Sequence, residues 1–512
     1  MTTTDLIERL VGVHLAAGRG ERTAYVDPDV GEVSYRRLYE AGRRYAGVLR
    51  AAGVPRGARG LIVADDSVAT VVAVLGSWWY GCVPVPVSPL LADGDLEHVV
   101  RDCAPGFVHG DARTQRADQL TRWAGPVPEL SAEAVLAALR GQQSAEPIRL
   151  EAAVAWPDGV EALIQYTSGS TGAPKGVRHA AEAITAMLDG FGRLFDLRPD
   201  DRVLSSARMS FGYGFGSSVL CPLSAGATVI LIRGGVDLHS VVAAAQLHNP
   251  TVFCSVPRMY AALMDHQERR PTHAFDSLRL CLSAGENCPR ELADRIRHSF
   301  AAELVNCLGA TEALHVVLST FPDRDALGSL GFAVPGSTAT VRDENGRVVP
   351  DGTRGRLHVV GPTVSLGYTG QSAAAPFSEG GLYTGDIVCR NVDGSFDYVC
   401  RADDLLMLGG HKVAPAEIEQ VVLAAAGVDE CAVIGASDEH GLMVAVVHVV
   451  PAPGADPAAV RRAVAAAMRA KLPAYKRPTG IRLRSELPVT VTGKVAAHRL
   501  RAQGIPTAEE AD

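Results

Sequence analysis

Between about residues 60 and 310 the apolar positions alternate between two textures. Short runs rich in aliphatic residues read as strands: Gly60-Leu-Ile-Val-Ala64, Ala227-Thr-Val-Ile-Leu-Ile232, Thr251-Val-Phe-Cys-Ser-Val256, Leu278-Arg-Leu-Cys-Leu-Ser283 and Glu303-Leu-Val-Asn306. Between them Leu238–Leu247, Met259–Glu268 and Arg290–Phe300 are compatible with helices. Such alternation predicts a layered α/β fold with largely parallel sheets. Residues 67–92 carry no charge, a length that would suit a membrane span, but Gly76, Gly81, Pro84, Pro86 and Pro89 interrupt the stretch. A buried helix over Ser67–Tyr80 leading into a strand at Val83–Val87 accounts for it better.

After about residue 328 the texture changes. Short runs separated by Asp343-Glu-Asn-Gly346, Pro350-Asp-Gly352, Ser378-Glu-Gly-Gly381 and Asp393-Gly394 read as antiparallel hairpins. From about 404 a helix at Ala414–Ala425, strands at Glu430–Gly435 and Met443–Val450, and a helix at Asp456–Lys471 follow. The expected organisation is a large α/β N-terminal domain over 1–402, with a small β-rich subdomain at about 328–402, and a small α+β C-terminal domain over 403–512.

Composition narrows the class. With 512 residues, two or more domains are expected, and 47% apolar with 21% charged residues describes a globular protein. A formal net charge of −8 gives no reason to expect nucleic acid, and no Lys/Arg run suggests a membrane surface. The ten cysteines include no Cys-x-x-Cys pair and mostly sit in apolar runs, which points to reduced packing residues in a cytoplasmic protein. The charged start Asp5-Leu-Ile-Glu-Arg9 argues against a secretion signal.

The richest local chemistry is Tyr166-Thr-Ser-Gly-Ser-Thr-Gly-Ala-Pro-Lys-Gly176, directly behind the apolar run Ala162-Leu-Ile164. Gly169, Gly172 and Gly176 let successive N–H groups converge on an anion; Thr167, Ser168, Ser170 and Thr171 add hydroxyl donors, and Lys175 adds charge. A flexible linker would have no need of Pro174-Lys175, and Lys175 is followed by glycine rather than Ser or Thr, so this is not a Walker loop. A nucleotide triphosphate fits it.

Further segments follow in order: Leu308-Gly-Ala-Thr-Glu312, Tyr383-Thr-Gly-Asp386, Arg401-Ala-Asp-Asp404 with Gly409-Gly410, and Leu487-Pro-Val-Thr-Val-Thr-Gly-Lys494. Together with the glycine-rich loop they resemble the motif series of the adenylate-forming superfamily, which includes acyl-CoA synthetases, peptide-synthetase adenylation domains and luciferases. Ser210-Phe-Gly-Tyr-Gly-Phe-Gly216, Ser283-Ala-Gly-Glu286 and Gly309-Ala-Thr-Glu-Ala-Leu-His315 make the likeness strongest to benzoate and other aryl-CoA ligases.

The resemblance implies two steps: a carboxylate and MgATP give acyl-AMP and pyrophosphate, and a thiol then displaces AMP. It implies that residues 167–172 (Thr167, Ser168, Gly169, Ser170, Thr171, Gly172) and Lys175 hold phosphates, that Glu312 holds Mg²⁺, and that Thr311 reaches the α-phosphate. Gly285, Glu286, Asn306, Cys307 and Leu308 would line the adenine pocket, while Asp386 and Arg401 would hold the ribose. Leu308 stands where many relatives carry an aromatic residue, and Val489 where relatives often have a basic one. Lys494 matches the adenylation lysine and Asp403 the hinge of a mobile C-terminal domain; Gly409, Gly410 and Lys412 would border the pantetheine tunnel. Tyr213, Gly214, Ser283, Ala284 and His315 match acid-contacting positions, and Gly212, Gly214 and Gly216 suggest close backbone approach with room for an acid bulkier than benzoate.

The leading expectation is thus an ATP-dependent acid–CoA ligase for an aromatic or cyclic acid, a monomer or homodimer with ATP, Mg²⁺ and coenzyme A as its reagents. Two rivals stand beside it: a stand-alone enzyme loading the acid onto a carrier protein, and an ATP-binding relative without ligase chemistry.

Overall fold

The computed structural model describes residues 3–141, 152–167, 173–286, 288–321, 328–370, 376–408, 411–437, 443–489 and 495–501. Packing groups the chain into two units, the first comprising Met1–Thr340, His358–Thr384 and Asn391–Asp397, the second Val341–Leu357, Gly385–Arg390 and Tyr398–Asp512.

The first unit is built on two twisted sheets. In one, Val83–Val87, Arg59–Val63, Phe107–Gly110 and Glu129–Ser131 lie side by side in that order, all parallel. The other has nine strands, in the order Phe332–Ala333, Val316–Ser319, Glu303–Gly309, Leu280–Ser283, Val252–Ser255, Arg202–Ser205, Thr228–Ile230, Thr23–Asp27 and Gly31–Ser34. Its centre is parallel and its two ends antiparallel. The helices foreseen between these strands form at Leu238–His248, Pro257–Arg269 and Arg290–Phe300. The layered α/β architecture expected from the apolar pattern is the one observed.

The uncharged stretch resolves as the same pattern predicted. Ser67 caps a helix at Val68–Tyr80 by accepting from the Thr70 N–H, and all but the last residue of that helix is buried. It is apolar on every side because it is covered on every side. Val83–Val87 can contain Pro84 and Pro86 because it is the edge of its sheet, where a missing N–H breaks no second ladder. Among the described residues no helix is long and apolar enough to cross a membrane. All ten cysteines are free thiols and eight are buried, as expected of packing residues.

In the second unit Val428–Ser437 and Met443–Pro451 pair antiparallel, and Gly480–Leu483 joins the latter in parallel. Helices Pro415–Leu423 and Pro457–Lys471 cover this sheet through Ile418, Val422, Val460, Val464 and Met468. Asp456 caps the second helix, accepting from the Ala458 and Ala459 N–H groups. The foreseen turns are present: Arg342 and Val348 bridge across Asp343–Gly346 here, and in the first unit Ser378 pairs with Gly381.

Candidate active site

The glycine-rich sequence is the connection of a β-hairpin. Strands Glu161–Thr167 and Lys175–Ala180 pair antiparallel, with Lys175 opposite Thr167. Ser168, Gly169, Ser170, Thr171 and Gly172 lie outside the described residues. Both ends of the connection are tied down. The Tyr166 hydroxyl donates to Asp102 Oδ2 at 2.7 Å, and the Thr369 hydroxyl donates to the same oxygen. The Thr369 N–H donates to the Gly176 carbonyl at 2.7 Å, and His98 Nε2 lies 3.0 Å from the Pro174 carbonyl. Further along, Arg59 and Arg178 both pair with the Glu161 carboxylate, at 2.9 and 2.6 Å. Such charge-assisted bonds, partly shielded from water, fix the base of the hairpin.

A second segment runs beside the hairpin and brings a carboxylate to it. Val177 bridges to Tyr368, the Arg178 N–H donates to the Gly367 carbonyl at 2.9 Å, and the Leu366 N–H donates back to Arg178 at 2.8 Å. Tyr368 then serves both neighbours: its hydroxyl donates to Glu312 Oε1 at 2.7 Å, and Lys175 Nζ lies 5.4 Å from its ring centroid. Burial, with the Glu312 carboxylate second, holds this phenol in its protonated, donating form. Sequence reading missed Tyr368 and Asp102, because neither belongs to a phosphate or metal motif. Only the pairing of residues 365–370 with the hairpin reveals them.

Glu312 and His315 leave the same tight turn in different directions. After strand Glu303–Gly309, Thr311–Ala313 form one 3₁₀ turn, and Leu314 adopts φ +67° and ψ −45° while the His315 N–H donates to the Ala313 carbonyl at 2.8 Å. This is a γ-turn of the rare, strained hand, on a residue with a branched side chain. Strain of this kind persists where surrounding structure enforces it, and it clusters at functional sites. Among the described residues no three His, Cys, Asp or Glu side chains gather around a point. A lone carboxylate such as Glu312 fits Mg²⁺, which usually takes one or two carboxylates and completes its shell with substrate phosphates and water.

At the C-terminal ends of the parallel strands, register aligns Ser255 with Ser283 and Ser283 with Asn306. Ligands of such sheets bind at these ends. Asn306 is buried, its Nδ2 donates to the Ser329 carbonyl at 2.8 Å, and its Oδ1 has no hydrogen-bond partner among the described residues. Ala284, which follows Ser283 in sequence, is buried, Gly285 turns at φ +89°, and Glu286 follows, half-buried. Cys307 instead turns into the core, 3.5 Å from Ser319 Oγ, and burial pushes its thiol up to about 12. Leu308 remains half-buried.

Of the residues expected to contact the acid, Tyr213 and Gly214 lie on the helical run Gly212–Leu220. The one proton of the Tyr213 hydroxyl is shared between the carbonyls of Leu282 and Ser255, at 2.9 and 3.2 Å, so the residue presents its ring rather than its hydroxyl. A Cβ on Gly214 would stand 2.0 Å from the Arg208 carbonyl, and one on Gly216 2.0 Å from His315 Nε2. Close backbone approach is therefore what these two glycines provide. The expectation of extra room for a bulky acid fails at both positions, because a main-chain carbonyl and an imidazole already fill the space. His315 is buried against the Phe191 ring at 5.1 Å, Nε2 lies 3.4 Å from the Tyr213 carbonyl, and burial pushes its pKa down to about 4. It is neutral at pH 7.

Within the second unit the structure brings Asp386 and Arg401 together, Nη1 to Oδ1 at 3.0 Å. Gly385 makes this possible: it sits at φ +78°, and a Cβ there would stand 2.5 Å from Arg401 Nη2. Asp403 lies two residues on, in the 3₁₀ turn Ala402–Asp404. Lys412 pairs with Met407 through the backbone of a two-stranded ribbon. Gly409, Gly410 and Lys494 lie outside the described residues.

A carboxylate–tyrosine–lysine chain beside a glycine-rich hairpin and a neutral aromatic and histidine surface thus stand on the same unit. The AMP-binding enzyme family model matches residues 13–369, and that of the AMP-binding enzyme C-terminal domain matches residues 417–494. The chain belongs to the AMP-binding enzyme family. It is 33% identical over 508 residues, 96% of each chain, to the 3-hydroxybenzoate–CoA/4-hydroxybenzoate–CoA ligase of Thauera aromatica. Among solved structures it resembles a benzoate CoA ligase from Burkholderia xenovorans LB400, with a TM-score of 0.85, 30% identity and 95% and 98% of the two chains covered. It also resembles the anthranilate CoA ligase AuaEII in complex with anthranoyl-AMP, with a TM-score of 0.88, 27% identity and 98% and 97% coverage.

Proposed function

We propose that this chain is an ATP-dependent acid–CoA ligase that joins an aromatic carboxylic acid to coenzyme A by way of the acyl-AMP. The observation that carries the reading is full-length likeness to aryl-acid ligases in a chain whose first unit has both a charged nucleotide side and a neutral acid side.

In the first step a carboxylate oxygen attacks the α-phosphorus and the bond to pyrophosphate breaks. Two anions must meet, so the barrier falls where cations and oriented donors collect the charge. The hairpin connection with Thr167 and Lys175 would hold the β- and γ-phosphates, and Thr311 would reach the α-phosphate. Glu312, oriented by Tyr368, would hold Mg²⁺, whose charge offsets that of the phosphates. Gly285, Glu286, Asn306, Cys307 and Leu308 would surround the adenine; the unpartnered Oδ1 of Asn306 suits its exocyclic amine, while Cys307 would contribute backbone only. Asp386, held by Arg401, would take the ribose hydroxyls. Lys494 would bridge the acid carboxylate and the α-phosphate.

In the second step a thiolate sulfur attacks the acyl carbon and AMP departs. Asp403 would act as hinge between a domain over 1–402 and a C-terminal domain over 403–512, and Gly409, Gly410 and Lys412 would border the path of the thiol. The enzyme would work in the cytoplasm as a monomer or homodimer.

The test is ATP–pyrophosphate exchange against benzoic, heteroaryl, alicyclic and fatty acids, with thioester detection on adding coenzyme A. Exchange with an aryl acid and a CoA thioester is the expected result. Exchange without thioester would replace coenzyme A by a carrier protein as acceptor, and ATP binding without exchange for any acid would overturn the ligase reading.

A further inference from the structure

Helix Asp93–Cys103 carries no motif residue, yet two of its side chains close on the glycine-rich hairpin. His98 and Asp102 are four apart and so share one face of that helix. From this face His98 Nε2 meets the Pro174 carbonyl at 3.0 Å, and Asp102 Oδ2 accepts from two hydroxyls, that of Tyr166 at 2.7 Å and that of Thr369. Tyr166 and Thr369 are both buried, so solvent is poorly placed to take over from the carboxylate. Gly176 is what lets the two side chains converge: a Cβ there would stand 2.7 Å from Thr369 Oγ1 and 2.9 Å from Tyr166 Cζ.

The two hydroxyls belong to two different arms of the candidate nucleotide site. Tyr166 precedes Thr167, where the described part of the first strand ends, and Thr167 lies opposite Lys175. Thr369 follows Tyr368, whose hydroxyl donates to Glu312, and its own N–H donates to the Gly176 carbonyl at 2.7 Å. One carboxylate oxygen therefore holds the start of the glycine-rich connection and the neighbour of Tyr368 at a single point. Bonds to an ionised acceptor are about twice as strong as neutral ones, so this clamp is stiff for its size. We infer that Asp102 is a positioning residue for MgATP: it sets the spacing between the connection that would take the β- and γ-phosphates and the Tyr368–Glu312 arm that would take the metal. Its action runs through Tyr166 and Thr369. This rests on the reading that the connection and Glu312 hold the triphosphate and Mg²⁺.

The test measures MgATP affinity by isothermal titration, which needs no acid, in the wild type, Asp102→Ala and Asp102→Asn. Pyrophosphate exchange and thioester formation from supplied benzoyl-AMP are measured beside it. The asparagine keeps one oxygen able to accept both hydroxyls. Asp102→Ala is expected to raise Kd for MgATP, and KM for MgATP in exchange, by about tenfold or more. KM for the acid and thioester formation from benzoyl-AMP, which need no triphosphate contact, are expected to stay close to wild type, and Asp102→Asn to recover most of the affinity. Tyr166→Phe and Thr369→Val, each replacing one of the two hydroxyls at nearly unchanged shape, are expected to give smaller losses of the same kind. These two decide the matter if Asp102→Ala does not fold, and an unmoved Kd in both overturns the role. Unchanged affinity in Asp102→Ala, equal losses in both half-reactions, or an asparagine variant as weak as the alanine one also overturns it, while leaving the ligase reading intact. A wild type that binds MgATP yet exchanges with no acid overturns the ligase reading, and the Kd ratio still decides Asp102.

Discussion

The two regions of the first unit proposed to take the nucleotide and the acid differ in their electrostatics. Around the hairpin, ionic groups face one another: Glu161 is shared by two arginines, and Glu312 accepts from Tyr368 beside Lys175. Around Gly212–Gly216, ionisable groups are kept neutral: burial drives the His315 imidazole down to about 4 and raises the Tyr213 phenol well above its ordinary range. On the proposed function, one unit would tell ATP from an aryl ring by ionic groups at one end and by shape and neutral hydrogen bonds at the other.

The largest expected effect is at Lys494, the residue proposed for the adenylation step. Lys494→Ala is expected to cut acyl-AMP formation by roughly 10²–10³ while thioester formation from supplied acyl-AMP survives. Equal losses in the two half-reactions would remove Lys494 from the adenylation step. Next in size is Gly216→Ala, whose new methyl meets the His315 ring. Overpacking of this kind costs about 1–3 kcal/mol, so the melting temperature should fall, and KM for the acid should rise more than KM for ATP. A rise confined to ATP would mean that the helix does not serve the acid.

On the charged side, Tyr368→Phe deletes a single bond to a carboxylate, worth about 1.5–3 kcal/mol. The expected result is a higher Mg²⁺ requirement in pyrophosphate exchange with KM for the acid nearly unmoved. Unchanged metal dependence in both this variant and Glu312→Ala would take Glu312 out of the metal site.

The smallest effect is on stability against pH. His315 and His109 are pushed down to about 4 and His179 to about 3, all by burial, from an ordinary value of 6.5. Between pH 6.5 and 4 the unfolded chain therefore binds more protons than the folded one. Stability is full above 6.5 and declines on acidification, by up to about 1.4 kcal/mol per pH unit for each histidine. Asp66, raised by burial to about 6 from 3.8, works in the opposite sense over that span and offsets part of the loss. A lower thermal midpoint at pH 5 than at pH 6.5 is expected, and a higher one would mean that the acid-side histidine is not held neutral.

The legible part of this molecule was whatever repeats with a short period or a fixed chemical spacing. Alternating apolar runs gave the parallel strands and the covered helix Val68–Tyr80 to within a residue or two, since burial on one face or all faces writes itself into local pattern. Turn residues marked the hairpins after 328, because few residues tolerate those dihedrals. The motif series carried the roles proposed for Lys175, Glu312, Asp386 and Arg401. It could not show that Gly214 and Gly216 face a carbonyl and a ring rather than open space, because a glycine reports the absence of a side chain and not what occupies the gap.

By itself, then, the sequence determined the fold class, the two-part organisation and the glycine-rich connection proposed to hold phosphate, all of which depend on residues near one another along the chain. Tertiary structure alone decided that Asp102, Tyr166 and Thr369 meet at one carboxylate, that Tyr368 stands between Lys175 and Glu312, and that Gln165 packs over Gly212 and His315 over Gly216. Those partners are separated by tens to hundreds of positions. Whether a buried group is paired or orphaned, charged or neutral, depends on what the folded chain brings within a few ångströms of it, and no local pattern encodes that.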